Sequence, residues 1–189
     1  MIRTLLGLVS LLSLGACGDN DRPPLAYADP KGGALRLIAN PASTSTELVL
    51  DLVVGSQPLT GYAAGFDLPL APRAIKLVAF TPGHALEPGL APVAARGVLP
   101  VDGVLANTLF TAQSQKATGD GAVATDTVLA PGAVLYTIRL AKVAGAAHGV
   151  VFDGTAPDFV LPSGGLRDRA GATIVAAKDV AIGKLEITR

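Results

Sequence analysis

The chain has 189 residues, of which 50% are hydrophobic, 16% charged and only 4% aromatic, and 15 Lys and Arg are balanced by 15 Asp and Glu. Such neutrality offers no field for nucleic acid or for an anionic lipid surface, which excludes the strongly basic classes of binder. One cysteine excludes an internal disulfide framework, and the length beyond a targeting segment suits one domain with a sizeable core.

The chain starts with one positive charge, Arg3, followed by an apolar run containing Leu5, Leu6, Leu8, Val9, Leu11, Leu12 and Leu14. The run is too short for a membrane-spanning helix and reads as a signal peptide over residues 1–16. Its end, Leu14-Gly15-Ala16-Cys17, resembles the lipobox of bacterial lipoproteins. That resemblance implies lipid attachment at Cys17 and a position in the cell envelope. Gly18 follows the cysteine where Asp would signal retention, which implies the outer membrane where the host has one. Without residues 1–16 the chain keeps 14 basic and 15 acidic side chains.

Residues 17–33 read as a lipidated flexible tether. From Gly18 onward they hold three Pro, three Gly and three Asp, too little apolar surface to offset ordering entropy. Residues 34–189 read as one domain. In residues 47–54, Leu48, Leu50, Leu52 and Val54 fall on one face and Glu47, Val49, Asp51 and Val53 on the other, the pattern of a half-buried strand. Similar runs occupy 34–39, 64–70, 74–80, 104–112, 134–143, 149–152 and 180–187. Turn residues separate them at Asn40-Pro41, Gly55-Ser56, Ala71-Pro72, Thr81-Pro82-Gly83, Gly119-Asp120-Gly121, Pro131-Gly132 and Ser163-Gly164-Gly165. No stretch of helical length keeps an apolar stripe free of Pro or Gly. These patterns predict an all-β sandwich of about eight or nine strands in two antiparallel sheets.

Thr60-Gly61-Tyr62-Ala63-Ala64-Gly65-Phe66-Asp67-Leu68, followed by Ala74 through Gly83, resembles the early strands of cohesin domains. Pro131 through Leu140 is similar to a later glycine-led strand of that family, and Leu166 through Ile174 with Ile182 through Ile187 is similar to its last hairpin. The likeness spans residues 34–187 and consists of strand and turn patterns without an invariant chemical residue. It implies a jelly-roll sandwich related to type III carbohydrate-binding modules, and a partner such as a dockerin in polysaccharide breakdown.

No chemical motif competes with that expectation. His84 and His148 are far apart and have no cysteine near them, so both read as surface loop residues. No nucleophile elbow, zinc-protease helix, Walker loop or dinucleotide fingerprint occurs. Asp120, Asp126, Asp153 and Asp158 lie in expected loops without the dense spacing of a calcium site. No catalytic residue, metal or cofactor is therefore expected. Phe66, Phe80, Phe110, Tyr136, Phe152 and Phe159 read mostly as core aromatics, Tyr62 as a loop residue and Tyr27 as part of the tether. The expected function is a non-catalytic, envelope-anchored module that binds another exported protein through a face not identifiable from sequence. The alternative is carbohydrate binding, weakened by the absence of Trp platforms.

Overall fold

The computed structural model describes residues 24–86, 93–115 and 125–188. The signal peptide, Cys17, the Gly119-Asp120-Gly121 turn and the start of the expected tether lie outside the described residues.

The described chain is all-β and sandwich-like, as expected, but more finely divided. It has fifteen strands: β1 (Leu25–Ala28), β2 (Leu35–Ala39), β3 (Glu47–Val54), β4 (Leu59–Gly61), β5 (Ala63–Pro69), β6 (Ile75–Pro82), β7 (Val93–Val98), β8 (Thr108–Gln115), β9 (Thr127–Leu129), β10 (Val134–Lys142), β11 (Gly149–Asp153), β12 (Ser163–Arg167), β13 (Thr173–Ala176), β14 (Val180–Ala181) and β15 (Lys184–Ile187). Several of these are two to four residues long, below what alternation can reveal. One five-stranded sheet has the order β14-β2-β3-β10-β6 and the other β13-β12-β5-β8-β7. A third sheet, β1-β15-β11, and the pair β4-β9 complete the fold. All pairings are antiparallel except β14 with β2.

The alternating residues of β3 behave as their spacing requires. Leu50 and Leu52 are fully buried, stand opposite Ile138 and Tyr136 of β10, and pack in the central cluster with Leu37, Phe66, Leu68 and Leu109. The other face of β3 is also covered, contrary to the half-buried expectation. Val49 and Val53 are buried, and Asp51 is buried while accepting hydrogen bonds from Asn40 Nδ2 (2.6 Å) and Thr137 Oγ1 (2.6 Å). The turn after β2 folds back over this face: Ser43 Oγ accepts from Val49 N–H at 3.0 Å. A buried carboxylate is tolerated because two donors replace its water.

Leu25 and Tyr27 correct the expected extent of the tether. Leu25 is buried in the core, and β1 pairs along β15 from Leu25↔Ile187 to Ala28↔Lys184. Tyr27 donates its hydroxyl proton to Leu37 O (2.8 Å), accepts from Gly183 N–H (2.7 Å) and meets Phe152 edge-on at 6.3 Å between centroids. Two alternating side chains bury enough here to order a stretch whose average composition is polar.

Other boundaries move for local reasons. The expected strand 180–187 divides at Gly183, where a Cβ would lie 1.9 Å from Ala28 O, so β14 and β15 join different sheets. The expected strand 104–112 begins only at Thr108, after a turn ending on Asn107 at φ +63, and continues to Gln115. Ser163-Gly164-Gly165, expected as a turn, lies in β12. Gly165 takes φ +115, and a Cβ there would sit 1.8 Å from Val175 O, so glycine serves close strand approach.

Candidate functional site

The strand register identifies what the second five-stranded sheet presents outward. Its inner side holds Ala64, Phe66, Leu68, Leu109 and Leu166, all buried. Period-two alternation therefore turns the intervening residues to the outside. Across β12, β5, β8 and β7 they form three adjacent rows. Arg167, Ala63, Ser114 and Ala94 make one; Gly165, Gly65, Ala112 and Arg96 make the next; Ser163, Asp67, Phe110 and Val98 make the third.

This grid is a shallow trough. Its floor is Gly65, Gly165, Ala63 and Ala112, which leave the backbone almost bare. One depression of about 230 Å³ lies over them, bordered by Asp67, Ser163 and Arg167. A second, of about 350 Å³, shares Asp67 and Ala112 and extends over Phe110 to Arg96, Val98, Pro100 and Leu105. The face thus combines an acid, two arginines at opposite sides and one aromatic ring around a flat apolar floor.

The floor is held from behind. Thr111, between Phe110 and Ala112, is buried and bonds Tyr136 through their hydroxyls at 2.7 Å; it also donates to Phe66 O (3.1 Å). Tyr136 sits between Phe66 and Phe80, at 6.1 and 5.0 Å between centroids. Burial pushes its phenol far above the ordinary value, the Thr111 hydrogen bond opposing that shift and the Asp67 charge adding to it. Burial raises Tyr27 in the same way, opposed by the Gly183 hydrogen bond. Neither phenol has a route to acid–base work, since each is engaged inside the packing.

The residues singled out from sequence do not converge. His84 and His148 are both exposed, in separate loops. Asp126 Oδ1 accepts from Arg169 N–H at 2.8 Å. Asp153 is held below the usual carboxylate range by the Thr155 hydroxyl (2.6 Å) and then by the Thr155 backbone N–H (3.0 Å), forming a local turn. Asp158 is exposed, and Asp120 lies outside the described residues. Among the described residues no cluster of three or more His, Cys, Asp or Glu could hold a metal ion. Tyr62 is half-buried and joins two strands through its backbone, donating to Arg167 O and accepting from Gln115 N–H. Phe110, expected with the core aromatics, lies on the outward face and lines the larger depression. The signal for Asp67 and Gly65 was present in the alternation of Ala64, Phe66 and Leu68; Arg96 and Arg167 join them only through strand pairing.

Comparison with family models, with characterised proteins and with solved structures yields no match. The likeness to cohesins therefore rests on the sequence segments quoted above, and the sandwich alone assigns no role.

Proposed function

We propose that this chain is a lipoprotein of the cell envelope whose sandwich is a non-catalytic module that docks another exported protein. Acylation of Cys17 anchors it, and the outer face of the β13-β12-β5-β8-β7 sheet is the docking surface. The observation that supports this reading is the trough itself. A floor of Gly65, Gly165 and Ala112 admits close backbone approach, while Asp67, Arg96, Arg167 and Phe110 supply polar and aromatic contacts around it. Interface anchors are characteristically Arg and aromatic side chains around a desolvated centre. The cohesin-like segments point the same way, to a partner such as a dockerin.

Carbohydrate binding is the second reading, favoured by one feature: the Phe110 ring lines a depression that also holds Asp67 and Arg96. A ring can stack on the apolar side of a pyranose while such groups bind hydroxyls. The test is parallel incubation of the purified protein with exported proteins of the same cells and with soluble and insoluble polysaccharides. Stoichiometric protein capture supports docking. Retention on a polysaccharide without protein capture supports the sugar reading, and release of sugar contradicts both.

A further inference from the structure

The loop between β7 and β8 carries an apolar tip, of which Leu105 borders the trough while Val101 and Val104 lie beyond it. Val101 is 71% exposed, Leu105 56% and Val104 fully so. The loop is nevertheless closed by its own backbone. Asn107 N–H donates to Pro100 O at 2.9 Å and Ala106 N–H to Gly103 O at 3.1 Å. It is also fixed to the body of the domain, because Leu70 N–H donates to Asn107 O (2.8 Å) and Arg73 N–H to Asn107 Oδ1 (2.9 Å). The three apolar side chains are thus held in water by an ordered scaffold.

Their position relative to the chain's entry point indicates what covers them. Leu25 pairs with Ile187, which pairs with Gly149. Ile187 and Gly149 line one depression with Ala71 and Arg73, and Arg73 is bonded to Asn107. The chain therefore enters the sandwich at the end that bears the apolar loop. Val150, another exposed apolar side chain, stands at the same end. Val128 lies at the other end. It is in β9, beside the far end of β8, where Gln115 Nε2 donates to Thr127 Oγ1. Eight residues of β8 separate the two ends by roughly 23 Å.

We propose that the β7–β8 tip, through Val101 and Val104, rests in the interfacial layer of the bilayer that holds the Cys17 lipid. The inference relies on the lipoprotein reading. Seven Cα steps separate Cys17 from Pro24 and reach at most about 25 Å, so an acylated Cys17 holds this end of the domain within that distance of the membrane. Apolar side chains that protrude there gain by leaving water for the boundary between headgroups and acyl chains. Asp102, the one charged residue from 99 to 107, stays at headgroup level. Contact at this end directs β8 away from the bilayer and leaves the depression over Gly65, Gly165 and Ala112 open to a partner from the side.

The test uses the acylated protein reconstituted in vesicles of phosphatidylcholine and phosphatidylglycerol. A polarity-sensitive fluorophore is attached to Val104→Cys or, separately, to Val128→Cys; the exposure of both positions spares the fold, and an acylated Cys17 has no thiol left to react. The expected result is blue-shifted emission at position 104, with several-fold more quenching by a lipid-borne quencher there than at 128. Water-like emission at both positions overturns the proposal. So does shielding at 104 that needs no vesicles and grows with protein concentration, which would indicate a second copy. Incorporation of labelled fatty acid is measured alongside. Its absence refutes the anchor reading and this proposal together, whereas incorporation with an unquenched position 104 refutes this proposal alone.

Discussion

Gln113 and Gly83 are joined across the sandwich by a reciprocal pair of hydrogen bonds: the Gln113 carboxamide accepts from Gly83 N–H at 3.0 Å and donates to Gly83 O at 2.7 Å. Gln113 is fully buried on the inner side of β8, directly behind the trough-bearing sheet. Its side chain therefore acts as a strand edge, tying that sheet to the end of β6. Gln113→Ala removes both bonds and opens a cavity, and we expect a loss of about 2–4 kcal/mol in chemical denaturation. A loss below about 0.5 kcal/mol would show that water replaces the amide without penalty.

The register of β3 gives a second test. Leu50 is fully buried between the sheets, whereas Val49 is buried on the opposite side, under the turn that contains Ser43. Leu50→Ala should cost roughly 2–5 kcal/mol. Val49→Thr keeps the shape and sits beside the Ser43 hydroxyl, so its cost should be clearly smaller. Equal costs, or a larger one at Val49, would place the wrong face of β3 in the core.

The longer strands were legible because their neighbours repeat every two residues. Leu48, Leu50, Leu52 and Val54 form such a series, and Ala64, Phe66 and Leu68 another. What composition hid is equally specific. Tyr27 orders β1 by bonding to Leu37 and Gly183, residues far along the chain, so local polarity suggested a tether. Gly164 and Gly165 look like a turn because glycine permits positive φ, yet here that freedom lets β12 approach its neighbours closely. Nothing in the local pattern marks Gln113 and Gln115 as buried, because Gly83 and Thr127, which bond them, belong to other segments of the chain. The trough was half legible: alternation turns Gly65 and Asp67 outward, but only pairing sets Arg96 and Arg167 around them.

The buried phenols predict alkaline sensitivity. Folding holds Tyr27 and Tyr136 protonated well above the ordinary phenolic value near 10. For each, the folded pKa is above the unfolded one, so the stabilising effect is complete below pH 10. It is lost as pH rises past 10 toward the folded value, by about 1.4 kcal/mol per pH unit per tyrosine. Absorbance at the phenolate band should therefore change for at least two of the three tyrosines together with the loss of circular dichroism. Ionisation of all three before any unfolding would contradict the packing described.

The anchor is tested by Cys17→Ser, which should abolish fatty-acid incorporation and release the protein from membrane fractions. Two acyl chains hold a protein durably where a single chain binds only marginally, so the change should be close to complete. A wild-type protein that takes up no labelled fatty acid, with a variant that fractionates unchanged, would refute the lipoprotein reading.

Ala112 is exposed at the centre of the trough, between Gly65 and Arg96, and Ala112→Arg fills that floor without touching the core. Val78→Arg, exposed on β6 of the opposite sheet, is the matched control. The most direct measurement is stoichiometric capture of exported protein by the wild type and both variants, each first shown to unfold at the same denaturant concentration. Docking through the trough predicts capture by the wild type and Val78→Arg and its loss with Ala112→Arg. Undiminished capture by Ala112→Arg, or retention by polysaccharide alone, would contradict it.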